Sequence, residues 1–430
     1  MAAIGIDFGT TNSAVARVTP AGSVELATFP FEGAFTDAYR SLLYLEQIKE
    51  RGRNTVKSFT GPEGIEQYLA AETKGRLIQS LKSFLSSRLL ESTEIFGKLY
   101  TVEELIARIL QDLRSRAEQQ FGIRIDAVVA GRPVRFVGSA NPSDDDFAQN
   151  RLQQAFQLAG FESGRFEMEP VAAAHYYEST LDHDELILIG DFGGGTSDFS
   201  LVRVGPGIRQ RGRKPEDLLG NAGVGVAGDA FDAKIIRHLV APALGLGSEV
   251  RSFGKLLPVP SWLYAKLERW HYLSFLRARE VMNTLRTIRA QAVEPEKIEA
   301  LIEVIDNDLG YQLHRAVQRV KVGLSESEAA EFRFSSGGID LRATVERRSF
   351  ELWIWEEIEK ISECVDSLLL AANVGAADVD VVFLTGGSSF VPAVRAIFES
   401  RFGAQRIRSG NEFTSVARGL ALAAAESGFD

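Results

Sequence analysis

Cysteine is almost missing: Cys364 is the only one in 430 residues. One thiol cannot close an intrachain disulfide and supplies no cysteine-based metal cluster. It falls in the helical run IEKISECVDSLLLAA, where a packing role is expected. No apolar run reaches the roughly 18 residues that a membrane span needs. The opening residues, MAAIGIDFG, carry no basic segment ahead of an apolar core, so no secretory signal is read. Positive charge is in deficit, with 48 Lys and Arg against 58 Asp and Glu, a net charge of −10. Such a chain is a poor general ligand for nucleic acid or anionic membrane, and neither is expected as a partner. These absences together point to the cytoplasm. The one basic cluster, RQRGRK at 209–214, reads as a solvated hairpin loop. The remainder is ordinary globular composition, 45% hydrophobic and 25% charged, on a length that suits two large lobes or three domains.

Against that background one feature is unusual. Ile4 opens the stretch IGIDFGTTNSA, and Ile189 opens IGDFGGGTSDFS. Each runs strand, tight turn, strand, with Asp7 and Asp191 in equivalent places. Gly9 serves the first turn, and Gly193, Gly194 and Gly195 serve the second. Two such hairpins opening two halves predict a duplicated α/β architecture with a cleft between lobes. Helical patterns fill the first half: KGRLIQSLKSFLSSRLL, then residues 100–121 with Thr101 as N-cap, then NRLQQAFQLAGF. AVVAGRPV reads as a short buried strand. The second half opens near Glu185. It holds a long helical region from Ser261 to Leu324, broken near VEPEK, and returns to strand, Gly-Gly turn and helix in VDVVFLTGGSSFVPAVRAIFESRF. NEFTSVARGLALAAAES reads as a small-residue helix suited to close packing.

A turn of Gly, Ser and Thr between strands aims several backbone N–H groups at one point. Glycine lets a ligand approach the backbone closely, and such a nest binds phosphate oxygens. A carboxylate beside phosphates needs a cation between them. Mg²⁺ fits, because it keeps waters and takes few direct carboxylates. Asp7 and Asp191 are the residues expected to hold the hydrated metal. Rival readings of the glycines are weaker. DFG occurs twice without HRD or VAIK, and GxxxxGK[ST] is absent. GVGVAG, Gly223 to Gly228, follows polar KPEDLLGNA rather than a buried strand.

At this point the chain resembles the actin, sugar-kinase and heat-shock-chaperone ATPase superfamily. More narrowly it resembles the nucleotide-binding domain of the seventy-kilodalton heat-shock chaperones, close to the YegD-like branch. IGIDFGTTNSAVA and IGDFGGGTSDFSL resemble the two phosphate motifs, EPVAAAHYY the connecting segment, GDAFDAKI the Gly-acidic loop before a helix, and LTGGSSFVPAV the adenosine motif. The resemblance implies a two-lobed actin-like α/β fold with duplicated ribonuclease-H-like lobes. It places lobe I at 1–183, with a subdomain inserted at about 37–108. Lobe II follows at 184–407, with a largely helical insertion at about 226–355, and a C-terminal helix at 408–430 returns to lobe I.

The resemblance also implies roles. Thr10, Thr11 and Asn12 lie at the β- and γ-phosphates, with Gly9 in their turn, and Gly193, Gly194, Gly195 and Thr196 face them. Asp7 and Asp191 position Mg²⁺ through water. Lys82 orients the attacking water, Glu169 meets the metal's water shell, and Asp198 and Thr196 join the catalytic water network. Gly386, Gly387, Ser388 and Phe390 line the nucleoside side with Gly228, Lys321 and Ser325. By pattern alone Lys82 is a solvated residue on an amphipathic helix; the resemblance reverses that reading. ATP or ADP with Mg²⁺ is the implied ligand, and ATP hydrolysis the implied reaction.

Departures are concentrated on the nucleoside side. Gln318 stands where a glutamate is usual, Val322 and Phe390 where two arginines sandwich the adenine, and Phe413 where an aspartate is usual. Weaker or altered nucleotide affinity is expected, and sub-micromolar binding of ATP would oppose it. The sequence ends at Phe429 and Asp430, after the last helix of such a domain, so no peptide-binding domain is expected. The output is then a partner protein that reads the lobe angle. A non-catalytic nucleotide-sensing scaffold, a filament-forming actin relative and a small-molecule kinase are the alternatives.

Overall fold

The computed structural model describes the chain except residues 1–2, 32, 51–52, 72–74, 213, 253, 270–272, 410–413 and 427–430. Phe413, Phe429 and Asp430 therefore lie outside the described residues. The chain divides into two compact units. The first is Met1–Ala227, Lys360–Ser389 and Val394–Asp430; the second is Gly228–Glu359 with Phe390–Ala393.

The first unit holds two sheets of the same design. One is built from β1 (Ala3–Phe8), β2 (Asn12–Val18), β3 (Val24–Leu26), β4 (Ala127–Arg132) and β5 (Ser163–Met168), in the order β3-β2-β1-β4-β5. The other is built from β6 (Glu185–Phe192), β7 (Ser197–Val204), β8 (Leu218–Val224), β9 (Val381–Thr385) and β10 (Ile407–Ser409), in the order β8-β7-β6-β9-β10. In each, the first three strands are antiparallel hairpin partners and the last two run parallel to the first. The repeat in the sequence is thus a repeat of topology, and the fold is the two-lobed actin-like α/β fold. Asp7 and Asp191 sit one residue before the ends of β1 and β6, in register with Ala14 and Asp198 respectively. β8 is a half-exposed antiparallel edge strand, so GVGVAG opens no parallel βαβ unit.

Two helices cover the first sheet. α1 (Val102–Phe121) begins at a capping box: Thr101 accepts from the Glu104 backbone N–H, and the Glu104 carboxylate accepts from that of Thr101. α2 (Pro142–Leu158) starts earlier than the apolar pattern indicates, because Asn141 caps it and Pro142 occupies its first turn. α3 (Glu169–Glu178) and α4 (Ser415–Glu426) are rich in alanine, and they cross where only small residues fit. A Cβ on Gly419 would lie 1.6 Å from the Ala172 carbonyl oxygen, and one on Gly5 would lie 2.3 Å from the Ala421 nitrogen. The close packing expected of the last helix is present.

Two readings of local structure are corrected. KGRLIQSLKSFLSSRLL is not a helix over its described residues, which start at Gly75: Arg76–Gln79 pairs as a strand with Leu42–Glu50, and Leu81–Phe84 is a single 3₁₀ turn, while Lys74 lies outside the described residues. RQRGRK is not a hairpin loop: Gly205 turns the chain, Pro206 starts a short helix to Arg211, and Arg213 lies outside the described residues. The second unit is mainly helical. Its segments include Arg279–Gln291, Pro295–Asp306 and Gly310–Glu326, so the long helical region is broken more than once, near VEPEK among other places.

Candidate functional site: a carboxylate cluster between two hairpin turns

The two hairpin turns are held open by backbone geometry. A Cβ on Gly9 would strike the Asn12 carbonyl oxygen at 2.2 Å. In the second turn the Gly193 N–H donates to the Thr196 carbonyl at 3.0 Å. A methyl on Gly195 would lie 3.5 Å from Thr10 Oγ1 and 2.8 Å from Val137 Cγ2. The turns therefore face one another across a gap that side chains at Gly195 would fill. Gly386 follows β9 with φ +84°, and a Cβ there would lie 2.2 Å from the Phe192 carbonyl oxygen. Glycine is required at this position on both counts.

Beside the turns lies a buried cluster of charge. Lys82 Nζ meets Glu169 Oε1 at 2.6 Å, and both side chains are buried. Burial alone would lower the Lys82 ammonium. The facing carboxylates of Glu169, Asp7 and Asp198 outweigh it, and its pKa rises above the ordinary lysine value. The solvated-lysine reading is thereby set aside. Asp7 is pushed up to about 7, first by burial and then by the Glu169 charge, against the pull of Lys82. Asp191 is pushed well above the carboxylate range by burial, then by Glu169, Asp7 and Asp198. Asp198 is pushed to about 7 by burial and Glu169, although it accepts a bond from Thr196. One ammonium thus faces four carboxyl groups, and the protein alone carries too little positive charge to hold them all ionised.

Neighbouring backbone fixes this arrangement. Asp198 Oδ1 accepts the Val134 and Arg135 N–H groups at 2.8 and 3.2 Å, tying the segment after β4 to the second hairpin. The turn carrying Lys82 is clasped by Arg151 of α2. Its guanidinium donates to the carbonyls of Phe84, Leu85, Ser87 and Leu90 at 3.1–3.3 Å and pairs with buried Glu103. Sequence reading passed over Arg151. The available signal was a charged residue at a core position of α2, three after Ala148 and one before Leu152, both buried. Arg40 was also missed. It donates to Asn12 Oδ1 at 3.1 Å from the short strand Tyr39–Arg40, which pairs with β2.

A family model described as Hsp70 protein matches residues 55–244 and 287–428, well over half of the chain. The chain belongs to the Hsp70 family. It is 27% identical over 423 residues to a protein named Chaperone protein DnaK from Thermosipho africanus (strain TCF52B), covering 98% of this chain. The chain spans 58% of the length of that curated relative.

The residues assigned to the nucleoside side fall in both units. In the first, Gly386 and Gly387 follow β9, and Ser388 is buried. In the second, Lys321 meets Asp232 Oδ1 at 2.7 Å and donates to the Gly228 carbonyl at 3.1 Å. Ser325 donates back to the Lys321 carbonyl at 3.1 Å within its own helix. Val322 and Phe390 are 57% and 47% exposed. Gln318 is half-buried on the same helix as Lys321.

Proposed function

We propose that this Hsp70 family chain binds Mg-ATP at the carboxylate cluster and hydrolyses it slowly to drive opening and closing of its two sheet-bearing lobes. The observation that carries the reading is the cluster itself: Lys82, Glu169, Asp7, Asp191 and Asp198 gathered beside two facing glycine turns. A structural ion pair needs one carboxylate; four around one lysine is an excess of negative charge that a bound cation would balance.

The donor set suits Mg²⁺. The oxygens are hard, and among the described residues no three His, Cys, Asp or Glu side chains converge to ligate a metal directly. Mg²⁺ retains its waters readily, so Asp7 and Asp191 would hold it through them. When bound, the metal supplies charge neutralisation at the phosphates. The chain's own groups do the rest. The N–H groups of the turns at Thr10–Asn12 and Gly194–Thr196 hold phosphate oxygens, while the Gly193 N–H closes its own turn on the Thr196 carbonyl. Lys82, kept protonated by its carboxylate neighbours, orients the water that attacks. Asp198, fixed by Val134 and Arg135, steadies that water through Thr196. Phosphoryl transfer to water needs this positioning and charge stabilisation more than covalent chemistry.

We place the chain in the YegD-like branch and in the cytoplasm as finer parts of the same proposal. Its output is a partner protein that distinguishes the ATP-bound from the ADP-bound state. Among the described residues no helix is long and apolar enough to cross a membrane. Single-turnover hydrolysis by wild type and Lys82→Ala tests the reaction. A fall of about 10²–10³ is expected from losing one preorganised charge. Equal rates would leave a nucleotide-binding scaffold without catalysis.

A further inference from the structure

We propose that Arg40 is a positioning residue of the phosphate site: it turns the Asn12 amide so that its NH₂ group faces a polyphosphate. The inference rests on the nucleotide reading above and adds a residue to it. A guanidinium has five donors and no acceptor. Whichever way an amide is oriented, only its oxygen can satisfy such a neighbour, so the contact at 3.1 Å fixes Oδ1 toward Arg40. The two N–H donors of Nδ2 are then directed elsewhere, and among the described residues no protein group accepts them. Asn12 is the first residue of β2, directly after the phosphate turn. An amide turned the other way would bring a carbonyl dipole against anionic oxygens; held this way it donates to them.

The base of Arg40 is fixed on both sides. Before it, the buried Tyr39 hydroxyl donates to Asp112 Oδ2 at 2.5 Å and meets the Thr60 hydroxyl, which is free to donate to it, at 2.8 Å. After it, the Ser41 N–H donates to the Thr11 carbonyl at 3.0 Å, and the Ser41 and Ser13 hydroxyls meet at 2.8 Å. In between, Arg40 and Asn12 are direct cross-strand partners. A side chain so rooted loses little further freedom when a ligand arrives, which is what a positioning role requires. Selectivity follows from the location. The amide lies at the turn, so it discriminates by phosphate number and not by base.

Calorimetric titration of the full chain with ATP, ADP and AMP in Mg²⁺ tests this. Arg40→Ala should weaken ATP about tenfold, the usual size of one hydrogen bond to a charged group, and leave AMP little changed. Arg40→Lys should recover most of the loss, because an ammonium also donates only. The double variant with Asn12→Ala should bind ATP no more weakly than Asn12→Ala alone. Unchanged ATP affinity in Arg40→Ala, or a loss that adds in full to that of Asn12→Ala, overturns the proposal. Should Arg40→Ala fail to fold, Asn12→Asp replaces it. Its carboxylate keeps the Arg40 partner but has no donor, so it should melt like wild type and bind ATP at least about tenfold more weakly; wild-type ATP affinity there overturns the proposal as well. Wild type that binds none of the three nucleotides removes the nucleotide reading itself and this inference with it, a result distinct from one confined to the variants.

Discussion

The phosphate-side and nucleoside-side residues of this chain are built on different principles. On the phosphate side Lys82, Glu169, Asp191 and Asp198 are buried and cross-tied, and the turns beside them are largely made of backbone. Gly9 and Gly195 occupy positions where a Cβ would strike a neighbour or crowd the facing turn, and Lys82 is locked against Glu169. On the nucleoside side Gly386 is likewise fixed by backbone, but the roles of Lys321, Val322, Ser325 and Phe390 fall to side chains. Val322 and Phe390 are about half exposed, and Lys321 is already engaged by Asp232. A turn whose backbone makes the contact leaves few residue types to choose from. A pocket wall made of exposed side chains leaves many. The departures from the family pattern accordingly gather on the second set.

If the phosphate side depends on its cross-ties, breaking the strongest should have the largest effect. Arg151→Ala would leave Glu103 buried without its partner and release four carbonyls around the Lys82 turn. A stability loss of about 3–5 kcal/mol is expected in chemical denaturation. Single-turnover hydrolysis should fall as well, measured at a temperature where the variant is folded. A stability loss with an unchanged rate would reduce the clasp to a fold element with no part in placing Lys82.

A smaller effect, of opposite sign for stability and function, is expected at Asp191. Burial and three neighbouring carboxyls oppose its ionisation. Asp191→Asn keeps the shape and removes the cost of burying a carboxyl whose charged form the site disfavours. The nucleotide-free protein should be stabilised by about 1 kcal/mol and melt about one degree higher in a chain of this size. Its stabilisation by Mg-ATP, read from the shift in melting temperature, should be mostly lost. A variant that melts lower and still responds to Mg-ATP would mean that the cluster is a structural ion network.

How legible these features were follows from the same contrast. The two hairpins could be read because Gly, Ser and Thr between apolar strands have few other uses, and α1 because Thr101 and Glu104 announce its start. The Lys82 segment could not. LIQSLKSFL has helical spacing, but pairing of Arg76–Gln79 with Leu42–Glu50 claims it for a sheet, and Ser80 then turns the chain with φ 54°. Local periodicity lost to a partner distant in sequence. Arg151 and Arg40 were missed for a related reason: each acts on a segment far along the chain. The charge cluster could be assembled only through the resemblance, since Asp7, Lys82, Glu169 and Asp191 are far apart along the chain.

The smallest effects should come from the exposed nucleoside-side residues, and they test the comparison from its weaker end. Phe390→Ala removes a half-exposed ring whose only expected role is to pack or stack on a base. Loss of ATP affinity should be about three- to tenfold, with AMP and ADP weakened by the same factor, because all three carry the same base. The single-turnover rate at saturating ATP should not move. Val322→Arg restores a cation that could stack on adenine and should tighten ATP by a few-fold at most. A change in the hydrolysis rate of either variant, or a loss that grows with phosphate number, would mean that the nucleoside side reaches into the chemistry and that the division drawn here is wrong. An unchanged Phe390→Ala would move the base away from Phe390 and leave the phosphate side as the only part of the site with a defined ligand.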